Sequence, residues 1–171
     1  MDKIIRHGYV VQDTWIRFDH ITADDIDQEW RDDGVLPPGG LIVPLAIWLQ
    51  HRDALRLHPR TGVLLAPDDD PALLADDLQS LGLVAVSFPK FTDGRGASIG
   101  RLLRERYGYR RELRAVGHIL PDQVYFLSRA GFDAFELPPA RFADALALLK
   151  PFSEPYQAAV DKAPLFLRRA A

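Results

Sequence analysis

The apolar positions from about residue 60 onward form short continuous runs that alternate with amphipathic segments. Four runs of apolar and β-branched residues predict strands: GVLLA (62–66), LVAVSF (83–88), ELRAVG (112–117) and DAFEL (133–137). Runs of this kind are typical of strands that are buried on both faces of a parallel sheet. We therefore predict an α/β fold in which repeated strand–helix units form a parallel sheet with right-handed crossovers.

The segments between these strands carry helix start and stop signals. Prolines that favour the first turn of a helix lie at Asp70-Pro71, Leu120-Pro121 and Pro138-Pro139. A glycine that can end a helix in the left-handed conformation follows each segment, in LGL (81–83), YGY (107–109) and AGF (130–132). A barrel of eight such units needs roughly 250 residues. A chain of 171 residues therefore predicts an open sheet or a half-barrel.

The first 60 residues have a different pattern. KIIRHGYVVQDTWIRFD (3–19) predicts a β-hairpin or meander around His7-Gly8, and the acidic segment 22–33 predicts a short solvated helix. LPPGG (36–40) predicts a turn or a linker, and VPLAIWLQHRDAL (43–55) predicts a helix that packs on the sheet.

We expect a single domain over 1–171. It would consist of an N-terminal β and acidic segment (1–35), an α/β core (36–150) and a C-terminal tail with weak structure signals (151–171).

Composition narrows the possible functions. No apolar run reaches the roughly 18 residues of a membrane span, and Met1-Asp2-Lys3 does not begin a signal peptide. We therefore expect a cytoplasmic protein with no membrane contact. The chain has no cysteine, which excludes disulfides, thiolate metal sites and iron–sulfur ligation. A net charge of -3 argues against a nucleic-acid partner, although residues 90–114 hold eight Lys or Arg and three acids.

The loop FPKFTDGRGASIG (88–100) is a candidate ligand site. It follows a predicted strand and precedes a helix that we expect to open near Ser98, so unpaired backbone N–H groups would face an anion there. The candidate ligand-binding residues are Lys90, Asp93, Gly94, Arg95, Gly96 and Ser98. The alternative is a structural loop in which Asp93-Gly94 forms a turn, Ser98 caps the helix and the cations are solvated or paired.

Other chemistry has weaker signals. The spacing GxGxxxG does not fit the dinucleotide fingerprint, and no cofactor is identified. The three aspartates 68–70 could hold a divalent metal through oxygens, but capping at Asp70 explains them equally, and we predict no metal site. Asp93, His118 and Glu136 are candidates for acid–base catalysis if they face one crevice.

The basic helix offers a candidate partner surface. Apolar Ile99, Leu102, Leu103 and Tyr107 predict its buried face, which leaves Arg101 and Arg104 outward. These arginines either form a solvated face, with Glu105 paired to Arg101, or dock onto an acidic protein.

Several of these segments together resemble a known family. The chain is similar to the bacterial domain-of-unknown-function family numbered nine hundred and thirty-four. The similarity lies in the PDDD turn (67–70), AVSFPKFTDGRGASIGRLLRERYGY (85–109), ELRAVGHILPDQV (112–124) and AGFDAFEL (130–137), with VPLAIWL (43–49). His118 stands where that family usually has Asp, and Ala97 stands where it often has an aromatic residue.

The resemblance implies a metabolic context. Members of the family are often labelled oxidoreductases, and their genes commonly lie beside those for assimilatory sulfite reductase and phosphoadenylylsulfate reductase. It implies an accessory protein of sulfate and sulfite reduction that docks with sulfite reductase or its electron donor. The alternative is a small α/β enzyme or sensor that binds an anionic metabolite at the loop PKFTDGRG (89–96).

Overall fold

A curled eight-stranded sheet organises the part of the chain that the computed structural model describes, residues 3–18, 39–149 and 159–160. Its strands run in the order β2-β1-β8-β7-β6-β5-β4-β3. The strands are β1 (Lys3–Arg6), β2 (Tyr9–Gln12), β3 (Trp15–Arg17), β4 (Gly40–Pro44), β5 (Thr61–Leu65), β6 (Leu83–Phe88), β7 (Glu112–Gly117) and β8 (Ala134–Phe135). Strands β3 to β8 are parallel, whereas β1 pairs antiparallel with β2 and β8. The predicted α/β class is confirmed.

The sheet is a half-barrel and not a flat open sheet. Arg17 of the edge strand β3 forms an ion pair of 2.7 Å with Glu136, which follows β8 at the far side of the sheet. Arg114 of β7 likewise reaches Asp13, which precedes β3. These contacts cross the inner face of the sheet, so the sheet must curl.

Helices cover the outer face. They are α1 (Leu45–Gln50), α2 (Arg52–Leu55), α3 (Arg95–Glu105), α4 (Gln123–Arg129) and α5 (Phe142–Leu148), with 3-10 turns at Pro71–Leu74 and Pro139–Arg141. Alternate strand residues such as Val63, Val86 and Leu113 join the helices in the larger core. The inner face holds a smaller apolar cluster of strand residues that includes Ile42, Leu83 and Val116. No helix among the described residues is long and apolar enough to cross a membrane.

The central strands agree with the sequence prediction. β6 and β7 have the predicted bounds, and β5 begins one residue earlier than predicted. β8 is shorter than predicted, but the Asp133 N–H donates to Leu113 O and the Glu136 N–H donates to Ala115 O, which extends the pairing at both ends.

The predicted hairpin is also confirmed. His7 and Gly8 have φ values of 51° and 81°, which fit the two-residue type I′ turn that matches the twist of paired strands.

The segment 40–55 corrects two predictions. Val43 and Pro44 end the buried strand β4, so the predicted helix over 43–55 is wrong at its start; two short helices follow and are separated at His51. Gly40 opens β4 and does not belong to a turn. A short apolar run that enters a parallel sheet has the same local pattern as a buried helix.

Two of the three turn glycines behave as predicted. Gly108 and Gly131 have positive φ values, whereas Gly82 does not. A Cβ atom at Gly82 would lie 3.0 Å from Cη2 of Trp15, so this glycine makes room for a neighbouring ring.

The segment after Asp70 forms a 3-10 turn in place of the expected helix, although Asp70 caps it by accepting the Ala72 N–H. The predictions for 22–33 and for most of the tail 151–171 lie outside the described residues.

Gly117 gives a test of the packing at the end of β7. Its φ is +98°, and an added Cβ atom would lie 2.6 Å from the backbone oxygen of Phe88. We expect Gly117→Ala to lower the free energy of unfolding by roughly 2–4 kcal/mol, because conformational strain and overpacking act together. Gly108→Ala is the control, since Gly108 has φ +65° with nothing within 4 Å of the added Cβ. Urea unfolding of both variants with equal losses would contradict this account.

Candidate functional site

The loops that follow β6 and β7 are joined at the carboxyl ends of their strands. The His118 N–H donates to Phe88 O at 2.7 Å, and His118 Nδ1 lies 2.8 Å from Pro89 O. Gln123 Nε2 donates to Phe91 O at 2.7 Å. Because a carbonyl only accepts, Nδ1 of His118 carries the proton in this contact. The loop over 89–94 is therefore held in place by the next loop along the sheet.

The Arg95 guanidinium forms ion pairs with two carboxylates. Its Nε and Nη2 donate to Asp93 at 3.0 and 2.7 Å, and its Nη1 pairs with Asp68 from the loop after β5. The hydrogen bonds from Arg95 lower the pKa of Asp93 to about 2, and those to Asp93 raise the pKa of Arg95. An anion at this loop would have to displace a carboxylate that is already bound.

The helix after the loop begins earlier than predicted. α3 starts at Arg95, and its first N–H donates to Asp93 Oδ1 at 3.1 Å. The N-cap residue is therefore Gly94 and not Ser98, which lies exposed within the helix.

The loop glycines serve packing more than ligand approach. A Cβ atom at Gly96 would lie 2.7 Å from Cζ of Phe88, and one at Gly100 would lie 2.4 Å from Cε2 of Phe132. Both glycines are buried, and the role of Gly96 in ligand binding stays a prediction. Gly94 is exposed, with nothing within 4 Å of an added Cβ.

The three aspartates after β5 have separate structural partners. Asp68 pairs with Arg95, Asp69 accepts the Ala66 N–H at 2.7 Å, and Asp70 accepts the Ala72 N–H at 2.9 Å. Among the described residues, no group of three His, Cys, Asp or Glu side chains is arranged to hold a metal ion.

The three catalytic candidates face different partners. Asp93 bonds to Arg95, His118 bonds to Pro89 O and Glu136 bonds to Arg17. No hydrogen bond or ion pair joins any two of them among the described residues, and acid–base catalysis by these groups stays a prediction.

Arg104 corrects the prediction for the basic helix. It is 7% exposed, not outward, and its Nε donates to Gly131 O while its Nη2 pairs with Asp133 at 2.7 Å. Its Nη1 donates to the carbonyl oxygens of Tyr109 and Arg111, each at 2.8 Å. Leu102, expected on the buried face, is instead 40% exposed. The outward position of Arg101 and its pair with Glu105 at 2.9 Å are confirmed.

The turn after α3 carries three cations, of which the Arg106 guanidinium lies 5.7 Å from the centre of the Tyr107 ring. Arg106, Arg110 and Arg111 are exposed, and none forms an ion pair with any carboxylate in the described parts of the chain. We call residues 106–111 the arginine turn. Eight other arginines do pair with carboxylates: Arg6, Arg17, Arg52, Arg56, Arg95, Arg101, Arg104 and Arg114.

Sequence reasoning missed two buried charge clusters. Arg114 is 1% exposed on the inner face and pairs with Asp13 at 2.8 Å and Glu112 at 2.7 Å. Glu112 and Arg114 lie two residues apart in a strand, hence on one face, and this spacing was the available signal. Asp77, beneath the α1–α2 region, accepts the Trp48 indole N–H at 3.0 Å and pairs with Arg52 and Arg56.

The architecture defines a half-barrel α/β protein in which α3, the longest of the described helices, ends in a cationic turn. A family model described as "Bacterial protein of unknown function (DUF934)" matches residues 62–166, and the chain belongs to this family. The match covers β5 to α5, which includes both the loop at 89–94 and the arginine turn. None of the curated proteins matches the chain.

Arg95→Ala tests whether the loop is an anion site. We expect the variant to bind sulfate and sulfite with no less affinity than the wild type does, because the guanidinium is already neutralised by Asp93 and Asp68.

We also expect the pKa of Asp93, measured by NMR titration of the Arg95→Ala variant, to rise from about 2 toward 3.8. Since the folded pKa is the lower one, the pair stabilises the fold above about pH 4 and this contribution is lost as the pH falls toward 2. Arg101→Ala is the control; a loss of anion affinity in Arg95→Ala alone would restore the ligand hypothesis.

Proposed function

We propose that the protein acts by docking onto an acidic protein through the arginine turn. The observation that carries this proposal is that Arg106, Arg110 and Arg111, which lack ion pairs in the described residues, lie within one turn, whereas the exposed Arg60 and Arg141, which also lack them, lie on separate elements. Adjacent cations repel each other, so a turn that keeps them unpaired gains from a carboxylate-rich partner.

The backbone of the turn is ordered before any partner arrives. Arg104 holds the carbonyl oxygens of Tyr109 and Arg111, and its guanidinium lies 5.6 Å from the centre of the Tyr109 ring. Gly108, with φ 65°, lets the chain reverse direction between Arg104 and Tyr109. A surface that is already ordered loses less conformational entropy on binding.

The charge distribution favours a protein partner and an electrostatic approach. The chain has a net charge of -3, so attraction to an acidic surface would be local to the arginine turn. Exposed charges of this kind raise association rates, and salt screens them over a Debye length of about 8–10 Å near physiological ionic strength. Binding should therefore weaken as salt increases.

The identity of the partner is proposed from the family resemblance. We propose assimilatory sulfite reductase or its electron donor, with the protein as an accessory to sulfate and sulfite reduction. Without cysteine, the chain has no thiolate that could ligate an iron–sulfur cluster or exchange electrons, which favours an accessory role over independent electron transfer.

The alternative is an enzyme or sensor that binds an anionic metabolite at 89–96. This alternative is favoured by Lys90, which is exposed and has no ion pair in the described residues. Against it, Arg95 is held by Asp93 and Asp68, and Gly96 packs against Phe88. We therefore rank this function second.

Calorimetric titration of the purified protein against the sulfite reductase of its own organism, at low and moderate salt, tests the proposal. We expect micromolar or tighter binding that weakens with salt. No complex at either salt concentration, with the reductase and with its electron donor, would overturn it.

A further inference from the structure

One carboxylate, that of Asp133, joins the two ends of the arginine turn. Its Oδ2 accepts a hydrogen bond of 2.7 Å from Arg104 Nη2, in the last turn of α3. Its Oδ1 accepts the Leu113 N–H at 2.9 Å, at the start of β7. Arg104 and Leu113 lie two residues before and two residues after the turn. The Asp133 side chain therefore fixes the separation across which residues 106–111 reverse.

The backbone of Asp133 is itself held by its neighbours in the sheet. The Asp133 N–H donates to Leu113 O at 3.1 Å, and Asp133 O accepts the His7 N–H at 2.8 Å from the turn between β1 and β2. The next residue, Ala134, begins β8, which lies between β1 and β7. The carboxylate is therefore a fixed support for the arginine turn.

The middle of the arginine turn is anchored in the core. Tyr109 is buried, and its hydroxyl donates to Glu112 O at 3.3 Å. Its backbone N–H donates to Leu103 O at 2.9 Å. Arg110 and Arg111 follow this ring directly and are exposed. The position of Tyr109 therefore sets where these two side chains leave the surface.

Arg104 connects the support to the turn. Its Nη2 binds the carboxylate of Asp133, and its Nη1 donates to the carbonyl oxygens of Tyr109 and Arg111 at 2.8 Å each. The guanidinium is planar and rigid, so a carboxylate that orients one nitrogen also orients the other. Asp133 therefore acts on the backbone of the turn through Arg104.

We propose that Asp133 is a positioning residue of the docking surface, which holds the exposed arginines of the turn in the arrangement that an acidic partner binds. This inference rests on the proposed function and gives a role in it to a residue whose own negative charge would repel that partner. A surface that is ordered in advance loses less conformational entropy on binding, so a looser turn should bind more weakly.

Asp133→Asn separates positioning from charge, because the two effects have opposite signs. Asparagine keeps the size of the side chain but removes a negative charge beside the turn, which by electrostatics alone should strengthen binding to an acidic partner. We expect affinity for sulfite reductase to fall by roughly threefold to tenfold instead. Calorimetric titration measures this at a temperature where unfolding curves show the variant to be folded. The salt dependence should stay close to that of the wild type, because all three arginines of the turn keep their charges.

Glu105→Gln is the matched control for charge. Glu105 is exposed, lies one residue before the turn and pairs with Arg101, so this variant removes the same charge and leaves the contacts of Asp133 in place. Its affinity should equal or exceed that of the wild type.

Arg104→Lys tests the same role without a change of net charge. An ammonium group cannot bind a carboxylate and two carbonyl oxygens with the geometry of the guanidinium fork. We expect its affinity to fall as well, and its result decides the question if Asp133→Asn does not fold.

The two proposals fail in different ways. Unchanged or tighter binding by folded Asp133→Asn, with a normal wild-type complex, would overturn the positioning role and leave the arginine turn as the docking surface. Unchanged binding by folded Arg104→Lys would do the same. No wild-type complex at any salt concentration would overturn the proposed function and the positioning role together.

Discussion

Replacing Arg104 with methionine is expected to lower the free energy of unfolding by about 3–5 kcal/mol. Methionine keeps much of the apolar stem but removes every donor of the guanidinium. The carboxylate of Asp133 then loses its ion pair of 2.7 Å, and the carbonyl oxygens of Gly131, Tyr109 and Arg111 lose their bonds to Arg104. Breaking a buried pair from one side leaves an uncompensated charge, which explains the size of the effect.

The pH dependence of this loss has a defined sign. Burial raises the pKa of Asp133, while the charge of Arg104 opposes that rise. Without Arg104 the folded pKa should rise further above its unfolded value, so the folded state binds more protons and stability increases as the pH falls. Urea unfolding should therefore show a smaller loss at pH 5 than at pH 7.

Arg101→Met is the matched control for Arg104→Met. Arg101 belongs to the same helix but is exposed and pairs only with Glu105, so its removal should change stability by no more than about 0.5 kcal/mol. A loss below about 1 kcal/mol for Arg104→Met, or one that grows as the pH falls, would contradict the stabilising role assigned to the buried Arg104 side chain.

Neutralising the arginine turn is expected to have the largest effect on docking. In Arg106→Gln/Arg110→Gln/Arg111→Gln, we expect affinity for sulfite reductase to fall roughly tenfold to hundredfold. Each exposed ion pair at the rim of an interface contributes about 0.5–1 kcal/mol to the binding free energy. Stability should be nearly unchanged, because these side chains form no ion pairs in the described residues. Calorimetric titration measures the first effect, and urea unfolding measures the second.

A second triple variant separates the turn from net charge. Lys3→Gln/Arg60→Gln/Arg141→Gln removes the same number of positive charges from exposed positions on other elements. Its affinity should remain within about twofold to threefold of the wild type, because distant exposed charges are screened. Equal weakening by both triple variants would show that net charge, and not the turn, controls binding.

The central strands could be predicted because their signal is local. Continuous apolar runs with β-branched residues gave β5, β6 and β7 within one residue. β4 is as long as β5, but its pairing depends on partners outside its own segment, such as Thr61, which pairs with Leu41. That information lies outside the segment itself, so Val43 and Pro44 were assigned to a helix.

The site was harder to predict because its charges are satisfied over long sequence distances. The pair between Arg95 and Asp68 joins the first residue of α3 to the loop after β5, and neither segment alone identifies it. Arg104 was placed outward because Ile99, Leu102, Leu103 and Tyr107 were assigned to the buried face of the helix. The carbonyl oxygens of Tyr109 and Arg111 that bind Arg104 come from the turn after α3, and Asp133 comes from the segment before β8. Lys90, Arg101 and the cations of the arginine turn were exposed as their residue types suggest.

The salt dependence of the association rate tests the central claim most directly. Stopped-flow mixing of sulfite reductase with the wild type and with the Arg106→Gln/Arg110→Gln/Arg111→Gln variant, over a series of salt concentrations, measures how much of the rate is electrostatic. The account predicts a steep fall with salt for the wild type and a much flatter dependence for the variant. Parallel dependences, or a wild-type rate that does not change with salt, would contradict docking through the arginine turn.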